Sequence, residues 1–301
     1  MNAVLLMMVS VSVGVCVYNE GKNIERALRS LYSQTTDGFA IKEVIVVSSG
    51  STDDTDRIVE RLMNEFPSIK LIRQETRRGK NSAINEFLEA KSGDVCVLLN
   101  GDNVLGNDLS LFSLVSPFND ESVGMTGGHP VPTNDPRSFA GFATHMIWAM
   151  HHHISMIRPK IGELVAFRDI GTRLPTTMQS DEDIIKMELE KNGYGSVYSP
   201  GAIVMNHGPE TVSDFIKQRV RVNIGEEYMR RKFEYSVPTW DKRLLAGAIL
   251  DAVRDLGVHP VKMPFAVLME MISRLKAKAH VSAGKGDMSV WSPVDSTKDL
   301  K

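Results

Sequence analysis

VSVGVCVYNE, residues Val11 to Glu20, decides the fold. The β-branched run Val11 to Val17 reads as a buried strand, and the polar Tyr18-Asn19-Glu20 that follows marks its carboxyl end. The uncharged apolar stretch from Met1 to Val17 invites a different interpretation, a signal peptide or a membrane anchor. A signal peptide needs basic residues ahead of its apolar region and a small-residue cleavage site, and a spanning helix needs roughly 20 apolar residues. Neither pattern is present, so Met1 to Val9 is expected to be a frayed or packed extension of the strand.

Working outward, short β-branched runs alternate with helical patterns through the first half of the chain. Strands are expected at Val11 to Val17, Glu43 to Val47, Ile69 to Arg73 and Asp94 to Leu99, with helices at Lys22 to Ser33, Asp53 to Phe66 and Lys80 to Ala90. Ile58, Leu62 and Phe66 show the helical spacing, and Ser51 to Asp54 supply cap-type residues and first-turn negative charge. This rhythm implies a parallel sheet with crossover helices. The second half is less regular. Helices are expected at Ser138 to Met156, Asp181 to Asn192, Thr211 to Met229, Asp241 to Leu256 and Met263 to Ala279, and strands at Gly162 to Arg168, Ser196 to Tyr198 and Ala202 to Met205. The organisation expected is a domain over residues 1–230, a helical appendage over 231–280 and a flexible polar tail over 281–301.

The chain has 301 residues, 42% of them hydrophobic, enough for a substantial core. With 35 basic and 37 acidic side chains, the formal charge of -2 gives no global grip on nucleic acid or anionic lipid. Any phosphate binding must be local. Cys16 and Cys96 lie inside apolar runs as small buried hydrophobes, which fits a reducing, cytoplasmic setting.

In an open parallel sheet, ligands bind beyond the carboxyl ends of the strands. The residues there form a coherent set: Tyr18, Asn19 and Glu20 after the first strand, Ser48, Ser49 and Gly50 after the second, and Asn100, Gly101 and Asp102 after the fourth. Cys16-Val17-Tyr18-Asn19-Glu20 resembles the (P)-x-Y-N-E opening of family-2 glycosyltransferases, and Val46 to Thr55 resembles their VVDDGSTDDT segment. Gly79 to Asn85 resembles the GKAxALN helix start, Asn100-Gly101-Asp102 falls at the D-x-D motif, and Gln218 to Arg221 resembles the Q-x-x-R-W motif. The resemblance implies a GT-A fold: a Rossmann-like, mostly parallel α/β sheet flanked by helices, with a helical C-terminal appendage. It also implies transfer of a sugar from a nucleotide diphosphate donor, UDP- or GDP-linked, to a saccharide or lipid-linked hydroxyl acceptor.

The resemblance further implies roles. A nucleotide diphosphate needs a divalent cation, Mg²⁺ or Mn²⁺, and hard cations take carboxylate oxygens, so Asp102 is the natural ligand, with His207 a candidate beside it. Glu182 falls on the family's base position, between Asp181 and Asp183. Lys80, Gln218, Arg219 and Arg221 offer donors to the diphosphate, and Trp148, Glu163 and Arg168 are expected on the acceptor side. His151, His152 and His153 do not have the i, i+4 spacing of a helical metal pair.

Three positions depart from the pattern. Asn100 cannot supply the charge of the first Asp, Ser48 and Ser49 replace two acids, and Val222 stands where many relatives have Trp. Asn100, Ser48 and Ser49 keep open a catalytically silent nucleotide-sugar-binding protein, and Val222 argues against a processive, polysaccharide-synthase-like acceptor channel; a polyprenyl-phosphate sugar synthase, which shares the donor fold and differs in acceptor, is the other alternative. A nucleotidyltransferase would need a glycine-rich, basic N-terminal loop, which is not found. The last two helices carry Leu244, Leu245, Ile249, Phe265, Leu268 and Ile272 beside Arg243, Lys262, Arg274, Lys276 and Lys278. Such helices pack on the catalytic domain or lie on a membrane's inner face as peripheral contacts.

Overall fold

A computed structural model describes residues 8–285 together with Val290 and Thr297. Residues 1–7 of the expected extension, and most of the expected tail, lie outside the described residues. The amino-terminal half alternates β1 (Val9–Val17), α1 (Ile24–Tyr32), β2 (Phe39–Ser49), α2 (Thr55–Glu65), β3 (Ile69–Gln74), α3 (Lys80–Ala90) and β4 (Val95–Asn100). β1 lies between β2 and β4, parallel to both, and β3 extends the sheet beyond β2.

The alternation along β1 explains its central position. Val11, Val13, Val15 and Val17 pack with Ile24, Leu28 and Leu31 of α1 and with Val59 and Leu62 of α2. The opposite side of the strand carries Ser12, Gly14 and Cys16. Gly14 leaves room for Phe87 of α3: a Cβ there would sit 2.8 Å from the aromatic ring. Phe87, fully buried, joins Ile45, Val47 and Ile84 in the second core cluster. Two apolar layers thus clamp one sheet, and every large side chain buried in them contributes about 1.5–3 kcal/mol.

The rest of the sheet is mixed. β5 (Val104–Leu105), α4 (Ser110–Val115), β6 (Val123–Pro132), α5 (Phe139–Ile157), β7 (Leu164–Arg168), α6 (Asp181–Lys191), β8 (Gly195–Asn206) and α7 (Val212–Phe233) follow. The strand order is β3-β2-β1-β4-β7-β6-β8-β5, with β7 antiparallel to β4 and β6, and β8 parallel to β6. The sequence pattern does not reveal β6, because Gly127, Gly128, Pro130 and Pro132 are residues that strands usually exclude. Both prolines lie past Gly127, where pairing with β7 ends and only β8 is bonded. The two short strands expected at 196–198 and 202–205 are one strand, β8. Its Pro200-Gly201 interruption is taken up by a register shift between Gly127 and His129.

α8 (Lys242–Leu256) and α9 (Lys262–Ser282) close the structure against α5 and α7. Val281 and Ser282, expected in the tail, complete α9. Phe142, Met146, Phe215, Ala266 and Met269 form a core shared by α5, α7 and α9. Glu270 of α9 binds Arg219 of α7 at 2.8 and 3.1 Å and Arg274 at 2.8 Å. Burial opposes the charge on Glu270, but the two guanidinium groups more than offset it and hold the carboxyl at about 2. Among the described residues no helix is long and apolar enough to cross a membrane.

The Phe87 packing makes a direct prediction. Phe87→Ala should destabilise the chain by about 3–5 kcal/mol, read as a lower urea midpoint at unchanged slope.

Candidate active site

The carboxyl ends of β1, β2 and β4 open onto a cavity of about 650 Å³. Gly101 belongs to its floor, where a Cβ would lie 2.4 Å from Val17 Cγ1, so only glycine lets the Asn100–Asp102 turn rest on β1. Gly50 has φ +70°, and a Cβ there would meet Arg77 N at 2.6 Å. Tyr18, Glu20, Ser49, Lys80, Asn100 and Asp102 reach the cavity wall, and Asn19, Ser48 and Gly50 shape the loops behind it. Asn19, at φ 53°, accepts a hydrogen bond from Thr52 N at 2.8 Å. Ser48 donates to Ser51 Oγ at 2.9 Å, and Ser49 donates to Gln74 Oε1 at 2.5 Å. The serine hydroxyls that replace two acids are therefore engaged in holding the loop.

The acids expected to supply a base enter from α6. Lys80 Nζ, at the start of α3, lies 2.8 Å from Asp181 Oδ2 and 3.3 Å from Glu182 Oε1. An ammonium at a helix N-terminus opposes the helix dipole, whereas acids in the first turn of α6 favour theirs, so the ion pair holds Lys80 where its own helix would not. Burial disfavours the Lys80 charge, but Asp181 and Glu182 outweigh it and raise the lysine above its usual range. Two enclosed carboxyls share one ammonium: burial, then the Asp181 charge, push Glu182 up to about 8 despite Lys80. Burial likewise lifts Asp183 to about 6.

From α7, Gln218, Arg219 and Arg221 line the same cavity, but Arg219 commits its fork to Glu270. Burial lowers the pKa of Arg221, while the charges of Glu163, Asp102, Asp181 and Glu182 raise it. Arg221, Asp102, Glu163, Asp181 and Glu182 all line this one cavity.

His207, also on the wall, contacts Thr133 Oγ1 through Nδ1 at 2.8 Å and Glu210 Oε1 through Nε2 at 3.3 Å. Its neighbour Asn206 presents a buried Oδ1 with no hydrogen-bond partner. No three His, Cys, Asp or Glu side chains gather into a metal cage among the described residues. The hard oxygen of Asp102 and the orphaned Asn206 Oδ1 suit a Mg²⁺- or Mn²⁺-type ion, whereas His207 has both ring nitrogens engaged and would have to release Glu210 from Nε2 to join them. Trp148 packs edge-on against His151 at 5.2 Å, and both line the cavity. The neighbouring histidines diverge, His152 bonding Tyr198 and His153 bonding Asp255.

Of the two charged residues expected on the acceptor side, one lies in the cavity and one does not. Glu163 lines the cavity but bonds the Asn100 turn through the amides of Asn100 and Asn103. Arg168 does not line the cavity: it pairs with Val95 at the amino end of β4 and donates to Val123 O and Phe118 O. β7 runs antiparallel to β4, so its last residue is carried away from the carboxyl edge. Arg77, not anticipated, reaches the wall with its guanidinium 4.1 Å from the Tyr18 ring centroid. Its signal was the basic run Arg77-Arg78 directly ahead of Gly79-Lys80.

Residues 12–186 match the family described as Glycosyl transferase family 2. The chain belongs to glycosyl transferase family 2. Among similar curated proteins is the poly-beta-1,6-N-acetyl-D-glucosamine synthase of Staphylococcus epidermidis, 24% identical over 235 residues, covering 74% of this chain and 56% of that protein. The chain thus spans about half the length of the curated relatives it matches. The family-2 fold is shared with a mannosyltransferase, PcManGT of Pyrobaculum calidifontis, solved with GDP-Man and Mn2+. The TM-score is 0.59 at 24% identity, over 91% of this chain and 79% of that one. S. aureus TarS 1-349, solved with UDP-GlcNAc, gives a TM-score of 0.52 at 17% identity over 92% of each chain. The family-2 match ends in α6, so α7, α8 and α9 add their cavity residues from outside it.

The reassignment of Arg168 is open to a simple check. Arg168→Ala should cost about 1.5–3 kcal/mol of stability through lost charged hydrogen bonds, seen in urea unfolding. Side-chain carboxyl NMR resonances of Asp102 and Glu182 should stay in place.

Proposed function

We propose that this chain transfers a hexosyl group from a nucleotide diphosphate sugar, UDP- or GDP-linked, to a hydroxyl acceptor with inversion at the sugar carbon. The reading is carried by one observation, a single cavity lined by Arg221, by Asp102 and by the Asp181 and Glu182 acids. Tyr18, Glu20, Ser49 and Arg77 face the nucleoside, and Lys80, Gln218 and Arg221 face the diphosphate. Asp102 and Asn206, joined by His207 once Nε2 releases Glu210, would hold Mg²⁺ or Mn²⁺, which when bound would supply positive charge to the departing diphosphate. The solved neighbour with GDP-Man and Mn2+ supports this role. The 1–230 portion would carry the donor chemistry and the 231–280 helices would complete the acceptor wall.

Glu182 is the base in this reading. Asp181 is tied to Lys80 at 2.8 Å and is 8% exposed, whereas Glu182 is 21% exposed and 3.3 Å from the ammonium. A carboxyl raised to about 8 has a proton affinity suited to taking a hydroxyl proton near neutrality. Only its deprotonated form accepts that proton, so activity rises as pH passes upward through its pKa. Glu182→Gln should lower kcat about 10²- to 10⁴-fold with little change in donor affinity. In the native enzyme the acid limb of kcat/KM should lie well above the ordinary carboxylate range, toward pH 8. A limb near pH 4, or a fully active Gln variant, would remove Glu182 from the role. A catalytically silent binding protein would show no metal-dependent donor turnover at all.

A second reading of the acceptor, a sugar or phosphate on a lipid chain, is favoured by an apolar groove of about 550 Å³ between α8 and α9. Met146, Ile249, Val267 and Met271 line both this groove and the main cavity. Val258, Leu268 and Met271 on its border are exposed. An acceptor threaded this way would place the protein at a membrane's inner face, and the free thiols Cys16 and Cys96 support a reducing, cytoplasmic setting. Binding of hexyl, octyl and decyl glucosides below micelle formation should tighten about fourfold per methylene, the equivalent of about 0.8 kcal/mol. Leu268→Gln should flatten that slope, and a flat slope in the native chain would exclude the lipid acceptor.

A further inference from the structure

The Asn100-Gly101-Asp102 turn lacks a carboxylate at its first position, and the sheet brings one to it. β7 runs antiparallel to β4 with Leu164 opposite Leu99, so continuing the register by one residue sets Glu163 opposite Asn100. Glu163 Oε2 accepts from Asn100 Nδ2 at 2.8 Å and from Asn103 Nδ2 at 2.9 Å. Both bonds converge on Oε2, so Oε1 takes no part in them. The two amides bracket Asp102 in the chain, which fastens the Glu163 carboxylate to the same turn. Glu163 also has φ 61°, a left-handed backbone that a non-glycine residue adopts only when its surroundings enforce it.

The other side of the turn is supplied by β8. Val104 pairs antiparallel with Met205, which sets Asn103 opposite Asn206. Asn206 is 7% exposed, and its unpartnered Oδ1 belongs to a side chain on the cavity wall. Glu163 and Asn206 thus flank the Asp102 turn from its two neighbouring strands.

We propose that Glu163 supplies the second carboxylate of the divalent-cation site, its negative charge standing one strand across from position 100. Asn100 and Asn103 are positioning residues that hold this carboxylate beside Asp102. The inference rests on the glycosyl-transfer reading, because the cation concerned is the one that would accompany a nucleotide diphosphate. Its chemistry follows from hard-cation preference: affinity depends on the number of charged oxygens in the site, and an amide at 100 without Glu163 would leave Asp102 as the sole carboxylate of the turn.

The test is a Mn²⁺ titration, followed by calorimetry and by the EPR signal of free Mn²⁺, on the full chain with UDP or GDP present. Four forms are compared: native, Glu163→Gln, Asn100→Asp, and the double variant Asn100→Asp/Glu163→Gln. Glu163→Gln should weaken Mn²⁺ about tenfold or more, while the double variant, with the charge moved back into the turn, should recover to within about threefold of native. A purely structural Glu163 would not be rescued by a carboxylate at position 100. Mn²⁺ affinity unchanged in Glu163→Gln, or a double variant as weak as Glu163→Gln, would overturn the proposal. If Glu163→Gln fails to fold, Glu163→Asp replaces it: the shorter carboxylate should weaken Mn²⁺ about threefold or more, and native affinity would overturn the proposal. A native chain with no metal-dependent nucleotide binding would instead refute the glycosyl-transfer reading. Native binding that survives Glu163→Gln would refute only the role of Glu163.

Discussion

The ion cluster of Lys80 with Asp181 and Glu182 is the constraint around which the cavity is organised. Lys80 and Glu182 are 102 positions apart, and their contact ties the start of α3 to the start of α6 across the carboxyl edge of the sheet. A lysine at a helix N-terminus and three acids in a neighbouring first turn would each be ordinary surface charges if separated. Enclosed together, they are two close carboxyls to one ammonium, and burial first, with the Asp181 charge second, raises the proton affinity of Glu182. The same arithmetic explains Arg221, whose burial opposes its charge and whose acidic neighbours support it.

The second organising feature is the antiparallel insertion of β7 between β4 and β6. Because β7 runs against β4, its first residues reach the carboxyl edge and its last residue is removed from it. Glu163 is therefore delivered to the Asn100 turn, and Arg168 is turned to backbone carbonyls at the opposite end. A purely parallel sheet would have placed them the other way round. The arrangement also brings the Glu163 carboxylate onto a turn that has an amide in place of an acid.

The carboxyl-terminal helices are part of the same enclosure. Arg219 of α7 and Glu270 of α9 form a buried pair, so a residue whose motif resemblance pointed to phosphate contributes instead to closing the wall. Stability drawn from Glu270 is present above the ordinary carboxylate range and lost as pH falls toward about 2, because its carboxyl is held down by the two arginines. The apolar residues of α5, α8 and α9 then continue the cavity into a groove, giving one enclosure a charged end and a hydrocarbon-like end.

Local sequence determined the elements whose patterns repeat over short distances. The valine alternation of β1, the helical spacing of α2, the extent of α3 from Lys80 to Ala90, and the polar turns after β1, β2 and β4 are all legible without coordinates. They are legible because side-chain periodicity and strand-end polarity are properties of neighbouring residues. β6 was hidden, since its glycines and prolines satisfy contacts with β7 and β8 rather than any strand propensity. The partners of Glu163, Arg168 and Arg219 likewise follow from strand direction and helix packing between residues 45 to 63 positions apart. Charge pairing at such separations depends on which backbone edges meet, and that was decided only when the sheet and the helices closed on one another.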